Sequence, residues 1–165
     1  MKNPVPIGGP AVIVTVGLPG SGKTTWTDAQ IAANPDGGLV AVSRDHVRRM
    51  LRTPVGRDEE MVTGIQRDVI RAAVDAGKSV IVDDTNLNPE HLQSLQQFAL
   101  GITSSFTVCS QFLFVPLVVC VERDAQRPEA ERVGGKVIVG MYKRWRLSWR
   151  QMDAFGLPDL SVIDS

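Results

Sequence analysis

The chain has 165 residues, and its 18 Lys/Arg balance 18 Asp/Glu, so the formal net charge is zero. This length fits one domain with a substantial core, and the charge balance excludes a protein that coats long stretches of nucleic acid, which would be basic throughout. The balance is uneven, because residues 123–150 hold eight Lys/Arg against three Asp/Glu, which leaves room for a local anionic ligand. Cys109 and Cys120 have neither metal-ligand spacing nor disulfide-scaffold density, and read as reduced, buried small hydrophobes. With no secretory signal and no apolar run of membrane length, the expectation is a soluble cytoplasmic protein.

Residues 1–10, with three prolines and two glycines, read as a loose leader. The β-branched run 11–16 predicts a first strand, and 24–33 a helix stopped by Asn34-Pro35-Asp36-Gly37-Gly38. Residues 39–43 predict a second strand running directly into a helix that opens at Arg44. A turn near 53–56 leads to a long helix over 58–76, with Met61, Ile65, Val69 and Ala73 expected on its inward face and Gly77 as its stop. Strand three is expected over 79–82, a helix over 89–100, strand four over 106–115, and a helix start at 116–123. The charged segment 123–136 reads as a mobile excursion over the site, and the last helix, 136–153, carries Met141, Trp145 and Trp149 as a core-facing stripe. Alternating strands and helices imply an α/β fold, with a parallel sheet of four to five strands covered on both faces in a single domain over 1–165.

The chemistry begins at Gly17-Leu18-Pro19-Gly20-Ser21-Gly22-Lys23-Thr24-Thr25, a glycine followed by four residues and then Gly-Lys-Thr, set between a strand and a helix. In that context the backbone N–H groups turn inward around phosphate oxygens, Lys23 reaches the β/γ-phosphates, and the Thr24 hydroxyl ligates Mg²⁺. A nucleoside triphosphate is the expected ligand. The loop does not name the phosphoryl acceptor.

Ligands of open parallel sheets lie beyond the carboxyl ends of the strands. Strand two ends in Ser43-Arg44-Asp45 and strand three in Asp83-Asp84-Thr85-Asn86, so both should converge on the loop. Transfer to a hydroxyl needs a carboxylate for its proton, a metal, and cations over the developing charge. Asp45 fits the carboxylate, with helix N-capping as the alternative. Arg48, one turn on, could hold an anionic part of the acceptor or act as a surface ion-pair partner. Asp83 and Asp84 fit a Mg²⁺-water acid or a turn ahead of the next helix. Arg123, Arg127 and Arg132 are candidates for the transition-state cation, and composition does not choose among them. His46 and His91, which lack partner spacing, read as structural or surface residues.

Five stretches carry a resemblance. They are Gly17 to Trp26, Ser43-Arg-Asp-His-Val-Arg48, Val62-Thr-Gly-Ile-Gln66, Val80-Ile-Val-Asp-Asp-Thr-Asn-Leu-Asn-Pro-Glu90, and Glu122-Arg-Asp-Ala-Gln-Arg127 followed by Met141-Tyr-Lys143. In order and spacing they resemble the kinase domain of bacteriophage polynucleotide kinase-phosphatase, over nearly the whole chain. The resemblance implies a P-loop kinase fold with a lid, and transfer of the γ-phosphate of ATP to the 5′-hydroxyl end of DNA or RNA, in the host cytoplasm if the chain is of bacteriophage origin.

By this likeness Gly20, Ser21, Gly22, Lys23, Thr24 and Thr25 hold the donor phosphates, with Mg²⁺ on Thr24. Asp45 is the general base, Arg48 grips the phosphate 3′ of the acceptor nucleotide, and Asp84, Thr85 and Asn86 support the acceptor. Arg127 meets the transferring phosphate from the lid, while Arg123 and Val133 lie near the adenine. Asp83, where the bacteriophage enzyme has serine, could add a water-mediated metal contact. The Asp-x-Asp phosphatase motif is absent, so no 3′-phosphatase activity is expected. Two rival readings remain open at this stage: a small-molecule kinase acting on a nucleoside, sugar or antibiotic hydroxyl, and a nucleotide-dependent binding module.

Overall fold

A computed structural model describes residues 10–150, and side chains only as far as residue 148. Residues 1–9 of the expected leader, the Trp149 side chain and residues 151–153 of the expected last helix lie outside the described residues. Four strands form one parallel sheet: β1 (Ala11–Val16), β2 (Leu39–Val42), β3 (Ser79–Val82) and β4 (Thr107–Phe112), in the order β2-β3-β1-β4. The apolar run of β1 is buried at every position because strands pair on both its edges and helices cover both its faces. Pairing Val14 with Val82 brings the ends of β1 and β3 side by side. The connection after β1 leaves toward one edge of the sheet and the connection after β3 toward the other, so the crevice between them is where a ligand belongs.

Helices α1 (Lys23–Ala32), α2 (Arg44–Leu51), α3 (Glu59–Asp75), α4 (Pro89–Ile102), α5 (Leu117–Ala125) and α6 (Gly135–Arg150) complete the fold. Val12, Val14 and Val16 of β1 pack into the main core with α3, α4 and Trp145 of α6, while Ala11 and Ile13 face Trp26 and Ile31 of α1. Leu18, Cys120 and Ile138 make a smaller core that joins the loop after β1 to α5 and α6. Cys120 is buried, but Cys109 is only partly so, a correction that follows from its place on β4 at the sheet edge.

The expected inward face of α3 also needs correcting. Met61 is 56% exposed and Val69 39%, whereas Val62, Gln66, Ile70, Ala73 and Val74 are buried. Both stripes have helical spacing. The one that packs includes the polar Gln66 because a buried carboxylate needs its donor (below). Gly77 ends α3 as expected, in the left-handed region at φ 70°, where its N–H bonds Val74 O and the Lys78 N–H bonds Ala73 O.

Candidate active site

The loop after β1 closes over the sheet as a tight shell. Gly17 N donates to Thr85 O at 3.0 Å, tying the loop to the end of β3. At Gly20, φ is +82° and a Cβ would lie 2.4 Å from Cys120 O, so only glycine lets the loop rest against α5. Gly22 begins α1 at φ 94° with no side-chain cap. The α1 N-terminus and its positive dipole end therefore face the cleft with no acidic residue in the helix's own first turn.

Lys23 is folded back on its own loop, donating to Gly17 O at 2.9 Å and Leu18 O at 2.8 Å. Burial is the main cause that lowers its pKa to about 8, with Asp83 opposing and Arg127 adding to the fall. Ser21 is buried, and its hydroxyl has no hydrogen-bond partner.

Asp83 and Asp84 diverge, as two adjacent carboxylates should. Asp83 Oδ2 accepts from Thr24 Oγ1 at 2.9 Å, and its Oδ1 is buried without a hydrogen-bond partner. Burial raises the Asp83 pKa, against the Thr24 hydrogen bond and the Lys23 charge. A loop hydroxyl beside a carboxylate oxygen left without a donor fits a hard divalent cation that takes oxygen ligands and keeps several waters. Asp84 turns the other way, accepting from Arg44 N at 2.9 Å and Gln66 Nε2 at 2.6 Å. Burial again raises its pKa, with both donors opposing and the Asp45 charge adding to the rise. Asp84 thus anchors the start of α2 and lines the cleft floor. Neither aspartate caps α4, whose cap is Asn88, accepting from Glu90 N at 3.0 Å.

Ser43, not Asp45, caps α2, accepting from His46 N at 3.1 Å. That removes the capping alternative for Asp45, whose carboxylate is 76% exposed at the cleft. Arg48 Nη1 donates to Asp45 Oδ1 at 2.6 Å, while its Nε and Nη2 each reach Glu59 at 2.9 Å. Arg44 Nη2 pairs with the same Glu59 carboxylate, and Gly56 N donates to it at 2.9 Å. These bonds, Arg48's first, pull the Glu59 pKa down to about 2 and push that of Arg48 upward. The outcome is a fork: Glu59 fixes the guanidinium, and the guanidinium orients Asp45.

Thr85 and Asn86 also line the cleft. Asn86 is buried at φ 44°, and its amide donates to Thr15 O at 2.8 Å, so that group braces β1. The three arginines of the lid region differ in setting. Arg123 donates to Gly20 O at 3.3 Å, Arg132 to Arg127 O at 2.7 Å, and Arg127 lines the cleft with Val133. The expected free excursion is instead held at its root, because α5 continues to Ala125 and α6 starts at Gly135. Buried Asp124 closes the gap, accepting from Val133 N at 3.0 Å and Gly134 N at 2.8 Å.

Three residues escaped the sequence reading: Glu59, Gln66 and Asp124. Gln66 and Asp124 lie within stretches that carry the resemblance but were given no role there, and Glu59 stood out only as an acid at a helix start. His91, read as surface or structural, lines the cleft, where burial and the charges of Arg44 and Arg67 lower its pKa. The whole cleft is about 1250 Å³.

Residues 12–147 match the AAA domain family. The chain belongs to that family. This AAA domain is 26% identical over 155 residues to L-seryl-tRNA(Sec) kinase of Methanococcus maripaludis, covering 92% of the chain and 58% of the relative. It is 25% identical over 150 residues to a proposed bifunctional polynucleotide kinase/RNA ligase of Autographa californica nuclear polyhedrosis virus, covering 81% of the chain and 20% of that relative. The chain thus spans less than two thirds of either relative.

Among solved structures, the Pnkp1/Rnl/Hen1 RNA repair complex contains a chain that superimposes with a TM-score of 0.72 at 22% identity. The match covers 87% of this AAA domain and 46% of that chain, and shows the shared fold. The fold and the family are those of the phosphate-loop kinases. Among the described residues no helix is long and apolar enough to cross a membrane.

Proposed function

We propose that the domain is a 5′-hydroxyl polynucleotide kinase, moving the γ-phosphate of ATP to the 5′ end of DNA or RNA. The observation that carries this reading is the Glu59–Arg48–Asp45 fork beside the phosphate loop. A kinase for an uncharged acceptor needs the carboxylate, and the guanidinium held beside it at the cleft, besides orienting Asp45, supplies the cation that an acceptor carrying its own phosphate calls for. In this reading Asp45 accepts the proton of the 5′-hydroxyl as its oxygen bonds to the γ-phosphorus and the bond to ADP breaks. Arg48 holds the phosphate 3′ of the acceptor nucleotide, with Asp84, Thr85 and Asn86 around it.

Lys23 exchanges its two loop carbonyls for β/γ-phosphate oxygens, the N–H groups of residue 20 and residues 22–25 cradle the triphosphate, and Arg127 closes on the transferring group. Arg123 and Val133 flank the base. Thr24 and Asp83 would hold Mg²⁺, which neutralises charge on the β- and γ-phosphates when bound.

A second reading draws on the archaeal relative, whose name places the acceptor hydroxyl on a seryl group of tRNA. Incubation with γ-labelled ATP and, in parallel, a 5′-hydroxyl oligonucleotide, the same oligonucleotide already bearing a 5′-phosphate, seryl-tRNA and a nucleoside panel separates the readings. The proposal expects label on the first acceptor alone. Label confined to seryl-tRNA or to nucleosides refutes it.

A further inference from the structure

Helix α6 holds Lys136, Lys143, Arg144, Arg146 and Arg150 and no acid, in a chain with no net charge. This helix also builds a wall of the cleft, through Val137, Met141, Arg144 and Ser148. From 137 to 148 that wall is about 16 Å long, room for about four stacked nucleotides.

The neighbouring groups are already engaged. Trp145 packs against Phe114 and Tyr142, with ring centroids 5.0 and 5.8 Å away, so it is a core residue rather than a stacking platform. Arg146 lies over the Tyr142 ring, and Arg44 pairs with Glu59. Arg144 is exposed and pairs with no acid among the described residues. Its guanidinium extends back along the helix toward Gly140, where a Cβ would sit 3.6 Å from Nη1. It is placed to meet an anion entering the cleft.

Building on the polynucleotide reading, we infer that this face of α6 is the path of the acceptor strand beyond its terminal nucleotide, with Arg144 contacting a backbone phosphate. Arg48 takes the first phosphate and Arg144 one farther along. The site should therefore measure acceptor length, and a nucleoside 3′-monophosphate is too short to reach α6.

The test compares kcat/KM for a 5′-hydroxyl hexanucleotide with that for a nucleoside 3′-monophosphate, in wild type, Arg144→Ala and Arg144→Lys, with Lys78→Ala as an exposed control remote from the cleft. The ratio of hexamer to mononucleotide is expected to fall about tenfold in Arg144→Ala and to be largely restored in Arg144→Lys. The log–log salt dependence of hexamer binding should lose about 0.7 of its slope in the alanine variant, the share of one phosphate contact on a single strand. A ratio within twofold of wild type in Arg144→Ala, or an equal fall in Lys78→Ala, overturns the inference while oligonucleotide kinase activity stands. Wild-type enzyme that labels no oligonucleotide overturns this inference and the reading beneath it together.

Discussion

Raising the pH should weaken ATP binding through Lys23 alone. The free site holds Lys23 Nζ on two loop carbonyls in a buried setting, and burial brings its pKa to about 8. At about pH 7 the group is then protonated about nine parts in ten, and at about pH 9 about one part in ten. Polyphosphate binds the ammonium form, so affinity should fall about tenfold across that range. The phosphate itself, with a last pKa of about 6, has finished titrating by then. Calorimetry with a non-hydrolysable ATP analogue at fixed ionic strength would show the break near pH 8, with proton uptake on binding above it.

The sign for folding is the reverse. The buried ammonium costs stability below about pH 8, and that cost fades as pH rises from there toward 10.5. Affinity that stays flat between about pH 7 and 9, or a break that persists in Lys23→Ala, would refute the reasoning.

Glu59→Gln should lower acceptor kcat/KM about 10- to 100-fold, the loss of about 1.5–3 kcal/mol from charge-assisted bonds to Arg48, with ATP affinity unchanged. Glu59 also contributes stability that is present above its ordinary pKa of 4.5 and is lost as pH falls toward about 2, so acid melts of the variant should lack that decline. Asp124→Ala leaves two lid-root N–H groups without their acceptor at about 1–3 kcal/mol each, and hydrogen exchange should quicken over residues 125–134. Asp124→Asn, which keeps one acceptor, should fall between. Thr24→Ala and Asp83→Asn should each raise the Mg²⁺ concentration for half-maximal rate about tenfold or more, read by metal titration at saturating ATP. Gly20→Ala forces a Cβ against the Cys120 carbonyl in a left-handed backbone, and a loss of more than about 2 kcal/mol should appear in denaturant melts.

The sheet and the place of the phosphate loop beside the end of β3 were legible because their signals are local. A β-branched run, a glycine pattern and a polar strand end each occupy a few consecutive residues, and the parallel topology then forces 17–25 and 83–86 together. The acceptor half was legible only in part. Asp45 and Arg48 are one helical turn apart, but the choice between cap and catalytic candidate required seeing Ser43 take the cap. Glu59 binds Arg48 from another helix, and no spacing rule announces a contact between residues eleven apart across a turn.

The inward face of α3 was misjudged for a related reason. Apolar pattern favoured Met61, Ile65, Val69 and Ala73; Ala73 is buried and Ile65 packs against the core, but Met61 and Val69 are exposed, and burial follows Gln66, whose amide Asp84 needs. Asp124 was hidden among the charges of a segment that composition marks as loose, although its carboxylate ties that segment down.

The central claim is that Asp45 takes a proton from a polynucleotide 5′-hydroxyl. Single-turnover transfer of labelled γ-phosphate to a 5′-hydroxyl oligonucleotide, by wild type and Asp45→Asn with analogue affinity measured on both, tests it most directly. Label at the 5′ end is expected with wild type, with a loss of about a hundredfold or more in Asp45→Asn and nucleotide affinity within twofold. Wild-type turnover in Asp45→Asn, or oligonucleotide left unlabelled by the wild-type protein, would contradict it.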